Sequence, residues 1–441
     1  MIVARQGREA VAVRQRRKTE FYLASPRLVD ALLPAYGWVP AFLRKPFLPF
    51  AESAASILRR LFRVASQVRV PIYYLQGREK TGGRWLAALV LGRGPTVRFL
   101  AGLLFSELKA ERRLGGVFLW DIKSVLSRLG GKADLAFVVL DGVLAKPLAR
   151  LGFIFIPDWV TFKMNLSQPL EQTWNLSKNK TLRENLRRIR KYGYSYEITR
   201  DPKKFDDFYH NLYLPFIPRK FGETTSFTGY QLMKLFFKNG VLLLVKQKEE
   251  YVSGNIILLY RQGVKSIIIG VRGGRVDYIR KAALAASYYF TTLWAIQNGF
   301  RWIDFGECRP FLNDGILYFK KRWGMSAERY KYGRTVIGLN VWRSSPPARD
   351  FLTGNPFIFL DRNRMRGLVF SREDRALDSE DVLSLYKSFF VPGLENLTIV
   401  SPQGYSPQAE DGQALSSGQR LCLMEANFKE FLGGLWQVLR F

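Results

Sequence analysis

Three carboxylates, Asp304, Glu307 and Asp314, gather around the end of a short apolar run and the polar loop of residues 306–315 that follows it. Three cations, Lys320, Lys321 and Arg322, come next. A carboxylate at a strand end is placed to take a proton from a bound nucleophile, and Glu307 is the best placed of the three. Tyr318 and Arg309 flank them as groups that orient a substrate. Inventory excludes much other chemistry. With one histidine, His210, there is no His-rich metal site, and a Ser-His or Cys-His arrangement would have to use that residue. His210 falls on a helix of mixed face and reads as structural. Two cysteines, Cys308 and Cys422, are too few for a disulfide framework or a Cys-based metal site, so no metal is expected and a reducing, cytoplasmic compartment fits. No Gly-x-x-x-x-Gly-Lys-Ser/Thr loop is present, which argues against a P-loop nucleotidase. Gly270-Val-Arg-Gly-Gly274 follows a strand and reads as a plain turn, or as backbone N–H groups for a phosphate.

The elements that position these residues are legible in the same region. Residues 254–260 and 265–270 are apolar runs joined by Arg261-Gln-Gly263, a β-hairpin signature. A helix is expected from an N-cap at Asp277, with Ile279, Ala282, Ala283, Ala286, Phe290, Leu293 and Trp294 at helical spacing and Gly299 as its stop. Arg301-Trp-Ile-Asp-Phe305 reads as a short strand leading into the polar loop. Upstream, strands are expected at 70–75, 85–91, 97–105 and 134–141, with helices at 121–129 and 143–151 and an extended segment at 158–166. This first half repeats the alternation of the second, so two related units in tandem are expected, joined near 166–170. Between them lies a basic helix, residues 176–193, in which Leu182, Leu186 and Ile189 form one apolar stripe. Lys180, Arg183, Arg187, Arg188, Arg190 and Lys191 crowd its other faces, either as a platform for phosphates or as a solvated surface. Thr181 with Glu184 suggests a capping box, and Gly193 the stop.

Several of these features resemble the FemAB-like branch of the GNAT acyltransferase superfamily. The carriers are a helix ending in Gly299-Phe300, a strand ending Asp304-Phe305-Gly306, and Phe319-Lys320 followed by Gly324. At the join, Gly152-Phe153, an extended segment ending Leu166-Ser167 and the basic helix resemble the family too, so the likeness spans roughly residues 70–330. It implies a tandem GNAT-like α/β (α+β) fold with mixed sheets, and amide formation on an amine acceptor. By the same resemblance Phe319 and Lys320 mark the acyl-donor end, with Lys320 stabilising the developing negative charge. The family uses aminoacyl-tRNA donors and a peptidoglycan precursor as acceptor, and relatives use other acyl donors. The glycine turn departs from the signature with which ordinary GNAT enzymes hold acetyl-CoA, so aminoacyl-tRNA and acyl-CoA both stand as donors.

Charge and length set the remaining expectations. The chain has 441 residues, enough for two or three units, and 47% are apolar, enough for proper cores. Lys and Arg number 68 against 37 acidic residues, a formal net charge of +31. Such a field favours polyanions: tRNA, an anionic membrane surface, or a phosphorylated envelope precursor. The alternative is a non-catalytic basic module that binds RNA or anionic membrane. Residues 1–69 form a basic segment, amphipathic over 54–69, suited to a membrane surface or to packing on its own domain. Neither a signal peptide nor a spanning helix is expected, which places the chain in the cytoplasm or peripherally at the inner face of the membrane. Residues 70–168 and 169–340 are assigned to the two GNAT-like units. Residues 341–441 form a C-terminal extension of helices and one or two strands, with loops over 340–356 and 401–419.

Overall fold

The computed structural model describes residues 67–174, 179–221, 228–330, 335–362, 364–371, 375–406 and 421–425. Apart from its last three residues, the amphipathic stretch 54–69 lies outside the described residues, as do 407–420 and the apolar run 428–441. Among the described residues, no helix is long and apolar enough to cross a membrane.

Strands numbered in chain order form three sheets, so the class is the expected α/β (α+β) with mixed sheets. The first sheet has the order β3-β1-β2-β4-β13-β5. Its strands are β1 (Arg69–Glu79), β2 (Trp85–Leu91), β3 (Phe105–Phe118), β4 (Leu135–Asp141), β5 (Ile154–Pro157) and β13 (Thr335–Val341). The second runs β12-β6-β11-β10-β9-β8-β7. It comprises β6 (Val160–Asn165), β7 (Tyr194–Thr199), β8 (Gly240–Gln247), β9 (Glu250–Leu259), β10 (Gly263–Val271), β11 (Trp302–Cys308) and β12 (Ser326–Arg329). The third is β14 (Phe357–Asp361), β15 (Arg364–Phe370), β16 (Leu397–Ser401) and β17 (Leu421–Glu425), in that order.

The first two sheets exchange strands. β5 and β6 are separated only by Asp158 and Trp159, yet β5 stays in the first sheet while β6 inserts between β11 and β12 of the second. In return β13 inserts between β4 and β5, so the sheets do not divide the chain at 168 and 340. Both crossings meet at Asp158, whose backbone N–H donates to the Thr335 carbonyl at 3.1 Å. Its carboxylate accepts from Thr96 Oγ1 at 2.9 Å and is ion-paired to Arg309.

Local departures from the sequence pattern have physical causes. Residues 97–105 were expected as a strand and instead form most of helix α1 (Pro95–Leu104). Pro95 is pre-organised for a first helical position, and the buried Thr96, Leu100 and Leu104 fall at intervals of four, which an unbroken apolar run conceals. The basic helix α2 (Lys180–Lys191) is capped by Asn179, whose side chain accepts from the Leu182 N–H at 3.1 Å, and not by Thr181. Glu184 is unavailable for a capping box because Arg187 and Arg188 hold its carboxylate at 2.8 and 2.9 Å. Gly193 adopts the expected left-handed conformation, with φ of 61°. The helix expected from Asp277 breaks at Ala282, a residue at φ 71°, and resumes as α3 (Ala283–Gln297). Ser253 of β9 fixes that restart by donating to the Ala283 carbonyl at 2.7 Å. Downstream come α4 (Gly315–Arg322), α5 (Pro346–Gly354) and α6 (Ser379–Phe389). The loop expected over 340–356 is thus partly helical, since Ser345 caps α5 and Phe351 and Leu352 are buried.

β13 follows the last strand of the second sheet in the chain, yet Ile337 at its centre is fully buried between Val139 of β4 and Ile156 of β5. Ile337→Ala is expected to lower unfolding free energy by roughly 2–5 kcal/mol, as for other buried aliphatic truncations. A urea midpoint equal to that of the unaltered protein would show that β13 is not integral to the first sheet.

Candidate active site

The site grows from an interruption of the second sheet. β10 and β11 are parallel and pair only over Gly263–Lys265 against Trp302–Asp304. β10 runs on to Val271 and β11 to Cys308, so the two part beyond Asp304. On its other edge β11 pairs with β6, with an irregularity between Asp304 and Glu307. Gly306 sits in that irregularity at φ 78°, a conformation a side chain resists. Asp304 Oδ1 fixes the turn by accepting from the Gly306 N–H at 2.8 Å and from Thr161 Oγ1 at 2.9 Å. Phe305 stacks on the buried Tyr288 of α3, ring centroids 4.9 Å apart.

The carbonyls released by this bulge are taken by Lys320. Its Nζ donates to Gly306 O at 2.9 Å and to Glu307 O at 3.0 Å. Only 2% of the residue is exposed, and burial lowers the ammonium below its usual range. Among the described residues these two carbonyls are its acceptors, whereas an ammonium has three N–H donors. Phe162 lies beneath it, the Nζ 5.6 Å from the ring centre. Lys320 is carried by α4, whose N-cap is Asp314: Oδ1 accepts from the N–H groups of Ile316 and Leu317 at 2.9 and 3.0 Å. Phe319 packs against Tyr288 and Trp323 at 4.9 and 5.9 Å, seating the helix on the core. Gly324 ends it at φ 73°, where a Cβ would lie 2.1 Å from the Thr173 carbonyl oxygen. Close backbone approach therefore requires the glycine after Phe319-Lys320.

The structure brings Asp304, Glu307 and Lys320 together and adds a residue the sequence did not flag. Lys265 of β10 donates to Glu307 Oε1 at 3.0 Å and lies 3.8 Å from Asp304 Oδ2. Burial alone would lower the Lys265 ammonium, but the Glu307 and Asp304 carboxylates outweigh it and raise it. In the strand register Asp304 lies between Lys265 on β10 and Lys163 on β6, and Lys163 in turn pairs with Glu328 of β12. Charges thus alternate across four strands. The available signal was a lysine and an aspartate each inside an otherwise apolar strand.

The other residues singled out lie elsewhere. Arg309 is engaged at the strand crossing, where it binds Asp158 and lies between the rings of Phe99 and Trp159, 4.3 and 4.0 Å from their centres. Tyr318 is 41% exposed, and its hydroxyl and ring both hold Arg322. Arg322 also reaches the start of the basic helix, donating to Thr181 Oγ1 at 2.6 Å. Arg187, Arg188 and Arg190 are further along that helix, roughly 9–14 Å beyond Thr181 at 1.5 Å per residue. Arg187 and Arg188 pair with Glu184, and their hydrogen bonds hold its carboxyl down at about 2. Arg188 also donates to the Arg280 carbonyl at 3.0 Å, and Arg190 to the Leu186 carbonyl at 3.4 Å. His210 is exposed, edge-on to the Tyr209 ring. Arg272, in the glycine turn, is tied to Asp207 at 2.6 Å and to the Tyr251 carbonyl. Among the described residues no group of three or more metal-ligating side chains occurs.

No protein-family model matches the chain, and neither does any curated protein. Solved structures do. L-PGS from Bacillus licheniformis is 14% identical, with 62% of this chain and 86% of that one aligned at a TM-score of 0.33. FemX is 14% identical over 59% of this chain and 86% of its own, TM-score 0.33. A tandem GNAT protein from the clavulanic acid biosynthesis pathway is 11% identical over 60% and 82%, TM-score 0.26.

Cys308 closes β11 beside this centre. It is 2% exposed, and burial pushes its thiol up to about 12. A thiol-specific disulfide reagent at pH 8 should therefore leave Cys308 unmodified in the folded protein and modify it once denaturant is added. Rapid labelling of Cys308 in the native state, read by peptide mass, would contradict this burial.

Proposed function

We propose that the protein is an acyltransferase that joins an activated acyl group to an amine acceptor, with Lys320 as the group that stabilises the oxyanion. The observation that supports this most is the Lys320 ammonium: buried, fixed by two backbone carbonyls, with a third N–H not engaged by a described residue, beside the gap where β10 and β11 part. In such a low-dielectric position a preorganised cation acts on developing negative charge without first reorganising. The amine nitrogen attacks the acyl carbonyl and a C–N bond forms. The carbonyl oxygen becomes an oxyanion facing Lys320, and collapse breaks the bond to the leaving oxygen or sulfur. The amine proton goes to a base, and Glu307 is that base. Its Oε1 is held by Lys265, while Oε2 has no hydrogen-bond partner among the described residues. No covalent enzyme intermediate is needed when the donor is already an ester or thioester.

Aminoacyl-tRNA is the donor favoured here over acyl-CoA. The net charge of +31 suits a polynucleotide, and the turn at 270–274 has its arginine engaged by Asp207. The acceptor class proposed is an amine-bearing cell-envelope precursor, the acceptor that the resemblance carried by Asp304-Phe305-Gly306 and Phe319-Lys320 implies.

The test is transfer of a radiolabelled aminoacyl group from tRNA, or an acetyl group from CoA, to amine acceptors by the unaltered protein and by Lys320→Met. Removing one oxyanion donor lowers kcat by about 10²–10³-fold, so Lys320→Met should fall in that range with its circular dichroism unchanged. Transfer from CoA alone would replace the donor assignment. No transfer from any donor, together with tight, salt-sensitive binding of RNA or anionic vesicles, would replace the enzyme reading with a binding module.

A further inference from the structure

The third sheet and its helices touch the Lys320 segment at three successive places. The loop before α4 is the first. Leu312 N–H donates to the Pro356 carbonyl and Ile358 N–H to the Pro310 carbonyl, each at 2.8 Å, making an antiparallel bridge between Phe311 and Phe357. Asn313 Nδ2 adds a bond to the Gly354 carbonyl at 2.6 Å. The helix itself is the second. Lys321 Nζ donates to the carbonyls of Lys387 and Ser388, at 2.8 and 2.9 Å, in the last turn of α6. The third is β12, where Ala327 N–H donates to the Pro392 carbonyl at 2.7 Å. Gly393 lies so close that a Cβ there would be 2.0 Å from the Ala327 oxygen.

We infer that the C-terminal unit is a brace that sets the rotation of α4, with Lys321 as the positioning residue that holds Lys320 on its carbonyls. α4 has eight residues, too few to be stable alone. Neighbouring residues on a helix point about 100° apart. Accordingly Lys320 reaches back to β11 while Lys321 reaches out to α6. A roll of α4 that keeps one set of bonds breaks the other. The ends of α6 supply what Lys321 needs, because last-turn carbonyls lack helical partners and carry the negative end of the helix dipole. Lys321 touches no reacting atom in this scheme, and its effect on rate rests on the acyl-transfer reading above.

The test uses the full chain with Lys321→Met and Lys321→Arg, followed by amide hydrogen exchange of peptides covering 309–329 and by the transfer assay. In Lys321→Met, exchange across 315–322 should accelerate about tenfold or more while the first sheet stays protected. The value of kcat should fall about tenfold, with KM for the acyl donor unchanged. Lys321→Arg, which keeps donors for both carbonyls, should recover part of each. Unchanged exchange across 315–322 would overturn the brace. So would a change in KM alone, or loss of protection spread evenly through the chain. If Lys321→Met does not fold, Asn313→Ala reads the same brace through exchange of 309–314, and no acceleration there overturns it. If the unaltered protein transfers no acyl group, the proposed function fails while the exchange measurement still decides the brace.

Discussion

A buried ammonium resting on two backbone carbonyls is the interaction around which the rest of this molecule is arranged. Lys320 can sit there because β11 is interrupted at Gly306 and because β10 has already turned away, which brings the Gly306 and Glu307 carbonyls within reach of its ammonium. Buried carbonyls must find donors. A lysine meets that demand and carries a charge into the interior at the same time. Hydrogen bonds to a charged donor are stronger than neutral ones, which offsets part of the cost of desolvating the ammonium. The glycines at 306 and 324 and the Asp314 cap follow from this arrangement: one makes the bulge, one lets the helix end against Thr173, and the aspartate starts the helix at the right height.

Beneath the parted strands the sheet is held by polar contacts that are unusual for a core. Ser253 meets Ser287 at 2.9 Å, Asn255 donates to Thr291 at 3.0 Å, and Ser266 donates to Asn255 at 3.0 Å, all fully or almost fully buried. Each joins the sheet to α3 or one strand to the next. Apolar packing alone tolerates sliding of a helix over a sheet, whereas directional bonds fix its register. Since α3 also supplies Tyr288, against which Phe305 and Phe319 pack, that register is transmitted to both sides of Lys320.

The class of the fold was legible because strands such as 134–141 and 265–270 are apolar runs and the basic helix carries a clear stripe at Leu182, Leu186 and Ile189. The Asp-Phe-Gly and Phe-Lys…Gly wordings were legible as well, and the structure gives them physical content: a side-chain-capped turn, a stacked ring, a buried ammonium and a backbone contact. What the pattern hid was whatever depends on residues distant in sequence. Lys265 takes its meaning from Asp304 and Glu307 across a parallel pairing, and Arg309 from Asp158, which lies 151 positions earlier. Lys321 looked like one more surface cation beside Lys320 and Arg322. It is half-buried against an element whose role the sequence did not disclose, and burial lowers its ammonium to about 8. The helix at 95–104 was misread because an apolar run has no period to distinguish strand from helix, and the left-handed Ala282 leaves no trace in composition.

The exchange of β6 for β13 has a consequence for how this chain comes into being. On a ribosome, β4 and β5 emerge long before residues 335–341, so the first sheet stands with a vacant lane between two buried strands while the whole second sheet is being made. Unpaired strand edges of this kind invite pairing with other chains. Nascent protein should therefore lean on chaperones until the late strand slots home, and neither half can be inherited, grafted or shuffled as a freestanding module without carrying the other half's strand with it.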